Sequence, residues 1–183
     1  MKTRRIVYIG LLGAMSFILM ATFSIPIIPQ ATFLRFEPSE IPAIFATAVL
    51  GPVAGVAVCA VKNVLYFMFR AKSLFGPASD FMASSCLVFV IGIIYQKFPS
   101  TGGFLMACSL GTIARVLMMI PINLVILWLQ FGMNSTQVMA MMWPAIIPLN
   151  LAKSVINSLG AFVLLEAVLR RASFLLENNG THK

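Results

Sequence analysis

The chain has 183 residues, of which 60% are hydrophobic and only 10% are charged, and its net charge is +8. Soluble domains carry about 25% charged residues, so this composition, with a mean hydropathy of +0.98, predicts an all-α membrane protein. Because polar stretches longer than about 15 residues are missing, we expect one integral membrane domain over residues 1–183. The basic residues lie at the ends of apolar segments, as membrane flanks do, which argues against a nucleic-acid partner.

The first apolar segment, residues 6–25, is long enough to span a membrane and lacks a convincing cleavage site. We therefore interpret it as a retained helix rather than a secretory signal peptide. Gly10 and Ala14 form a pair of small residues about one helical turn apart, which lets another helix approach closely. That helix can belong either to a separate subunit or to the same bundle.

The second apolar segment, residues 41–69, would form a helix of about 43 Å, longer than the bilayer's apolar thickness of about 30 Å. Gly51-Pro52 is a turn signal, so this segment is either one kinked helix or a hairpin. An even span count places both basic chain ends in the cytoplasm, as the positive-inside rule prefers. The short second span should then run obliquely or be sheltered by its neighbours. We predict a bundle of six spans, at about 6–25, 40–50, 52–69, 78–96, 103–130 and 143–169, and a polar tail at 172–183.

The longest outward connections are predicted at residues 26–39 and at about 131–142. The first is rich in proline yet carries Phe33, Leu34 and Phe36. A loop with large apolar residues beside a membrane site can act as a lid. It can equally be an interfacial strap whose aromatic rings anchor among the lipid headgroups, and both interpretations stay open.

The last span carries Asn150, Lys153 and Asn157 at positions i, i+3 and i+7, which share one helix face. A lysine at membrane depth costs roughly 3 kcal/mol, so it usually faces a bundle interior, a cavity or a partner. We favour a polar ligand site, because amides that donate and accept suit a heteroaromatic ring with carbonyl and NH edges. The alternative is that Lys153 pairs with a carboxylate for structural reasons. Other polar candidates within spans are Lys62, Asn63, Thr112, Arg115 and Asn123, the last three on one face with Met119.

Motifs for catalysis are missing from the sequence. It contains no GxxxxGK[ST] loop, no HExxH and no paired catalytic carboxylates, so we expect neither ATP hydrolysis nor another enzymatic activity. Asp80 is interpreted as a cap of the fourth span, with half of a proton or sodium relay as the alternative. Three cysteines in apolar runs, without CxxC or a nearby histidine, predict no metal site, disulfide framework or resident cofactor: Cys59, Cys86 and Cys108.

Three stretches resemble the substrate-binding S components of energy-coupling-factor (ECF) vitamin transporters, and specifically the riboflavin type. The stretch FLRFEPSEIPAIFATAVLGPVAGVAVCAVKNVLYF at 33–67 resembles that type's early region, with its acidic-Ser-acidic-Ile-Pro-Ala, Gly-Pro and Lys-Asn-Leu elements. IIPLNLAKSVINSLGAF at 146–162 resembles its last helix, Asn-Leu-x-Lys-x-x-x-Asn. Gly10 to Ala14 resembles the Ala-x-x-x-Ala motif of its first helix, with glycine replacing the first alanine.

This resemblance implies a six-helix bundle in a prokaryotic plasma membrane that binds a vitamin from outside. It further implies docking through Gly10 and Ala14 on a transmembrane coupling subunit that is driven by two ATPase subunits. Riboflavin, or a related flavin, is the implied transported ligand. The residues that the resemblance assigns to the ligand are Leu34 in the first loop, Asn123 in the fifth span, and Asn150 and Lys153 in the last span.

One departure from the family's pattern concerns the ligand. Family members often carry Gly-Glu-Leu-Ala-Asn after the third span, where this chain has Gly76-Pro77-Ala78-Ser79-Asp80. The missing Glu and the change from Asn to Asp leave another vitamin or precursor open as the ligand. A self-sufficient secondary transporter is the main rival, with Asp80 as its one candidate coupling residue, and a membrane enzyme or an assembly factor is a further one.

Overall fold

The computed structural model of the protein describes residues 2–26 and 35–180. Within these residues the chain is almost entirely helical, and the predicted all-α membrane fold is confirmed. Two short strands, β1 (Ile25–Pro26) and β2 (Arg35–Phe36), pair antiparallel, with Ile25 opposite Phe36. The helices are α1 (Lys2–Thr22), α2 (Ile41–Leu50), α3 (Pro52–Phe69), α4 (Phe75–Lys97), α5 (Thr101–Phe131), α6 (Ser135–Met141) and α7 (Ile147–Gly180), with a π-helical turn (Met142–Ile146) before α7.

The turn predicted at Gly51-Pro52 is present, so the second apolar segment is a hairpin of two helices and not one kinked helix. Gly51 has φ +96°, a left-handed conformation that glycine adopts without steric cost. Pro52 follows as the first residue of α3, where its missing N–H leaves no hydrogen bond unmade. This pair therefore ends α2 after only 10 residues.

Five helical stretches in the described part of the chain are long and apolar enough to cross a membrane. The short α2 is apolar as well, and its neighbours shelter it, because five of its ten residues are buried. The five long stretches are Thr3–Thr22, Pro52–Phe69, Phe75–Lys97, Thr101–Phe131 and Ser135–Arg171.

The ends of the last helices differ from the sequence prediction. The expected connection at 131–142 is mostly helical. α5 ends at Phe131 and is followed by Gly132 with φ +66°, and α6 starts at Ser135 with a capping box between Asn134 and Gln137. The tail expected at 172–183 continues α7 to Gly180. Its Leu, Ala and Glu residues are good helix formers, and nothing in it breaks the helix before Gly180.

Two apolar clusters hold the bundle at different levels of α5. The first joins α2, α3, α4, α5 and α7 through residues such as Ile44, Leu87 and Phe104. The second joins α5, α6 and the start of α7 around Leu127 and Ile146. Along α5, the polar positions from Arg115 to Asn123 fall between these clusters, beside a third and smaller apolar cluster formed by Ala83, Met119 and Ile122.

Gly13 and Gly92 are two of the positions at which a close helix contact depends on glycine. A Cβ added to Gly13 would lie 2.6 Å from a side-chain carbon of Val61, and one added to Gly92 would lie 2.7 Å from the Cα of Pro52. These distances are shorter than any ordinary carbon–carbon contact. Glycine therefore sets the spacing between α1 and α3, and between α4 and the turn that starts α3.

Candidate functional site

A cavity of about 170 Å³ lies among α1, α3, α4, α5 and α7. That volume is below the range of about 300–1,000 Å³ that is typical of small-molecule pockets. Apolar side chains such as Leu127 and Leu149 form part of its wall. Six of the polar residues that line it are Glu37, Asp80, Arg115, Asn123, Asn150 and Lys153.

Beside the cavity the bundle buries a cluster of six ionisable side chains. Three are carboxylates (Glu37, Glu40 and Asp80) and three are cations (Lys62, Arg115 and Lys153). Each member forms at least one ion pair within the cluster. The charges of this cluster therefore sum to zero, and pairing offsets the large desolvation cost that an isolated buried charge would carry.

Lys153 on α7 is the centre of this ionic cluster. Its Nζ lies 2.8 Å from Oδ1 of Asp80 and 3.5 Å from Oε1 of Glu40, and it also contacts the carboxylate of Glu37. Lys153 therefore pairs with carboxylates, as the structural alternative predicted, but it has three such partners instead of one. Lys153 lines the cavity as well, so the pairing that holds it in place also orients it toward a ligand.

A second ion pair joins α5 to the start of α2. The guanidinium of Arg115 donates to the carboxylate of Glu40, and its Nε donates to Oδ1 of Asn150 at 3.2 Å. All three side chains are buried. The predicted polar face of α5 is therefore confirmed, since Thr112, Met119 and Asn123 are buried with Arg115.

Asn123 and Asn150 line the cavity from opposite helices, as their assignment to a ligand requires. Each uses its amide NH₂ to donate to a backbone carbonyl one turn earlier: Asn123 to Met119 at 2.8 Å and Asn150 to Ile146 at 2.9 Å. Among the described residues, no hydrogen bond is donated to Oδ1 of Asn123 at the cavity wall. Its carbonyl oxygen can therefore accept from an N–H or O–H group of a ligand.

Asn157 is placed differently from the other predicted ligand residues. It is fully buried and does not line the cavity. Its Oδ1 accepts from the backbone N–H of Glu40 at 3.0 Å, and its Nδ2 donates to the backbone carbonyl of Glu37 at 3.1 Å. Asn157 thereby ties residues 37–40 to α7 and positions Glu37 beside Lys153.

The predicted ligand residue Leu34, with most of the loop at 26–39, lies outside the described residues. The described end of that loop is held tightly, because Glu37 and Ser39 are buried. Burial raises the pKa of the Glu37 carboxyl above its usual range, against the opposing charge of Lys153. Glu37 falls within the connection expected at 26–39, and the sequence did not indicate its place in the ionic cluster, although the spacing Glu37-x-x-Glu40 could have suggested a shared role.

The interpretation of Asp80 as a helix cap is wrong. Helix α4 begins at Phe75, so Asp80 lies inside the helix, about one and a half turns from its start. It pairs with Lys153 and, at 2.7 Å, with Lys62. Gly76 and Pro77 lie in the first turn of α4, where proline is tolerated and does not interrupt the helix.

The predicted docking pair on α1 lies away from the cavity. Gly10 is exposed, and a Cβ added to it would have no neighbour within 4 Å among the described residues. Ala14 is half-buried. The neighbouring Gly13 packs against α3 instead, so the two small-residue faces of α1 are distinct, and one of them remains available on the outside of the bundle.

Known proteins resemble this chain in sequence. A profile of the family described as "ECF transporter, substrate-specific component" matches residues 4–165. The riboflavin transporter RibU of Staphylococcus aureus (strain TCH60) is 30% identical, over 95% of this chain and 93% of that protein. The riboflavin transporter FmnP of Bacillus subtilis (strain 168) is 30% identical, over 69% of this chain and 68% of that protein.

The fold also resembles a solved structure. A chain described under "Structure and mechanism of the S component of a bacterial ECF transporter" superposes with a TM-score of 0.81 at 30% sequence identity. The match covers 96% of this chain and 99% of that one. The sequence profile and the shared fold agree with the resemblance found in the motifs, and this chain belongs to the family of substrate-specific components of ECF transporters.

Proposed function

We propose that the protein binds riboflavin in the cavity and takes part in its uptake as the S component of an ECF transporter. The observation that carries this proposal is the convergence of Asn123, Asn150 and Lys153 on one cavity. Two amides and a cation, set in a partly apolar wall, suit a flat heteroaromatic ring with carbonyl and NH edges. The names of the relatives RibU and FmnP favour riboflavin over another vitamin.

Purified protein in detergent tests the ligand directly. Co-purified flavin would give the protein a yellow colour, and titration of riboflavin should quench the flavin's fluorescence with saturation at one ligand per chain. A preparation that is colourless and leaves the fluorescence unchanged would exclude riboflavin. Parallel titration with other vitamins would then test the alternative that this S component serves another vitamin or precursor.

The proposal includes a topology of six spans with both termini in the cytoplasm. Contacts between helix ends support it, because Arg5 of α1 donates to the Leu50 carbonyl at the end of α2, at 2.8 Å. At the other end of the bundle, Arg70 after α3 donates to the Ala21 carbonyl of α1, at 3.1 Å. α1 and α2 are therefore antiparallel, as two successive spans would be. The cavity includes Ser24 in its wall and so lies toward the end opposite the basic N-terminus.

A reporter that is active only outside the cytoplasm tests this topology. Fused to either terminus it should stay silent, and fused at the turn around Ser73 it should be active. A signal from one terminus alone would show an odd number of spans. The Ser73 fusion serves as the positive control for export and expression.

The coupling partners belong to the same proposal. We assign the transmembrane coupling subunit to the exposed face of Gly10 and Ala14, and ATP hydrolysis to two separate ATPase subunits. The double substitution of Gly10 and Ala14 by leucine should abolish riboflavin uptake and leave binding intact, because bulky side chains hold two helix backbones apart. Gly13→Leu is the contrasting variant and should damage the fold itself, since Val61 occupies the space. Normal uptake by the double variant would exclude this docking face.

A self-sufficient secondary transporter is the rival mechanism. Asp80, its candidate coupling residue, is paired with two lysines, which holds the carboxylate in its charged form and disfavours a role in proton exchange. Uptake by cells that lack the ATPase subunits distinguishes the two mechanisms. The S component should give none, whereas a secondary transporter would retain it.

A further inference from the structure

We propose that Asp80 determines ligand specificity: its negative charge balances Lys62 and Lys153 and makes the cavity select an uncharged ligand over an anionic one. This inference rests on the proposed function of the cavity. It concerns a carboxylate that lies inside α4 at the cavity wall, and it gives that carboxylate a chemical consequence.

Asp80 bridges two lysines from different helices. Its Oδ2 lies 2.7 Å from Nζ of Lys62 on α3, and its Oδ1 lies 2.8 Å from Nζ of Lys153 on α7. Oδ2 also accepts from Nδ2 of Asn63 at 3.2 Å. Both carboxylate oxygens are thus used to hold cations, a role that the amide of asparagine cannot fill because half of it is a donor.

Asp80 is also the carboxylate of the ionic cluster that is most open to the cavity. Its side chain is 11% exposed, compared with 3% for Glu37 and 0% for Glu40. Lys62, by contrast, is fully buried and does not line the cavity. A ligand in the cavity can therefore contact the carboxylate of Asp80 directly, whereas Asp80 lies between the ligand and the charge of Lys62.

The balance of the cluster depends on this one carboxylate. With three acids and three cations the cluster is neutral. An anionic ligand therefore gains no net electrostatic attraction that would offset the cost of losing its hydration. Without Asp80 the cluster carries one excess positive charge. Such a charge is weakly screened in a buried site and attracts an anion strongly. The further cation in the cavity wall, Arg35, is exposed and donates to Ser24, so water screens its charge.

Riboflavin and its phosphate ester FMN provide matched probes, because they share the ring system and differ by an anionic phosphate. We expect the wild-type protein to prefer riboflavin. Asp80→Asn should shift the ratio of the two dissociation constants toward FMN by about tenfold or more, measured by fluorescence quenching of the purified protein. Glu166→Gln is the matched control, since it removes a carboxylate that pairs with Arg170 far from the cavity, and should leave the ratio unchanged.

Lys62→Met makes the test independent of how well the Asp80 variant folds. It leaves one excess negative charge and should shift the ratio further toward riboflavin. The double variant Lys62→Met with Asp80→Asn is neutral again and should return the ratio toward the wild-type value. The inference is supported if the ratios of the two dissociation constants in the three variants follow the net charge of the cluster, and if Glu166→Gln keeps the wild-type ratio.

The outcomes separate this inference from the proposed function. A wild-type protein that binds riboflavin, with unchanged ratios in Asp80→Asn and Lys62→Met, would overturn the specificity role and leave the transport function standing. If Asp80→Asn does not fold, an unchanged ratio in Lys62→Met alone overturns it. A wild-type protein that binds neither flavin would overturn the proposed function and this inference with it.

Discussion

Two regions of the bundle are held together in opposite ways. Among α1, α2, α3 and α4, apolar side chains pack together and glycines allow the closest approaches, such as Gly13 against Val61 and Gly92 against Pro52. Where α3, α4, α5 and α7 surround the cavity, the contacts are made by buried ion pairs. The first region brings backbones close without polar groups. The second holds polar groups at defined distances and leaves space between them.

This difference shows how different regions of a membrane protein can determine its stability and its ligand binding. In lipid, close packing of small residues is an effective way to join helices, because burial of apolar surface against other apolar groups contributes little. Buried charges add little stability, since desolvation offsets their attraction. Their use here is to orient Lys153 and Asp80 at the cavity wall. Changes in the first region should therefore alter stability, and changes in the second should alter ligand affinity most.

Lys153→Ala should have the largest effect. It leaves the carboxylates of Glu37 and Asp80 without their shared cation, and breaking a buried pair in this way costs about 3–5 kcal/mol. We expect riboflavin affinity to fall by about 100-fold or more and the melting temperature in detergent to fall too. Ile156→Ala, at an exposed position of α7, is the control. Wild-type affinity in Lys153→Ala would remove the ionic cluster from the ligand site.

Gly92→Ala tests the small-residue region. The added Cβ would lie 2.7 Å from the Cα of Pro52, which cannot move without the turn between α2 and α3. Overpacking of this kind costs about 1–3 kcal/mol, so thermal unfolding in detergent should occur at a lower temperature, while riboflavin affinity of the folded protein stays close to wild type. Gly102→Ala should unfold like the wild type, since no atom of the described residues lies within 4 Å of the added Cβ. A large loss of affinity in Gly92→Ala would show that the two regions are not separate.

Asn150→Ala should have the smallest effect of the three on the protein as a whole. It removes the acceptor for Nε of Arg115 and one amide of the cavity wall. Loss of one partner from a buried hydrogen bond costs about 1–3 kcal/mol, so riboflavin should bind about tenfold more weakly. The variant should still insert into the membrane. Leu151→Ala, at the next and exposed position, provides the comparison, and equal affinities for the two variants would exclude Asn150 as a ligand contact.

The site and the fold were predictable from the sequence to different degrees. The polar faces of α5 and α7 were found because a polar residue inside an apolar helix stands out, and helical periodicity then tells which residues share a face. Asn157 shares the face of Asn150 and Lys153, yet its amide binds the backbone of residues 37–40. Periodicity indicates the direction of a side chain and not what lies opposite, so it cannot separate a ligand contact from a helix contact.

The sequence by itself determined the membrane class, the helical fold, the turn at Gly51-Pro52 and the family, because each depends on local composition or on a short motif. Only the tertiary structure decided which charges are neighbours. Asp80 meets Lys153 across 73 positions of sequence, and Glu37 meets it across 116. Such pairs form because the helices and the segment before α2 place their buried charges at the same depth of the bundle, and that depth follows from how all the helices pack together.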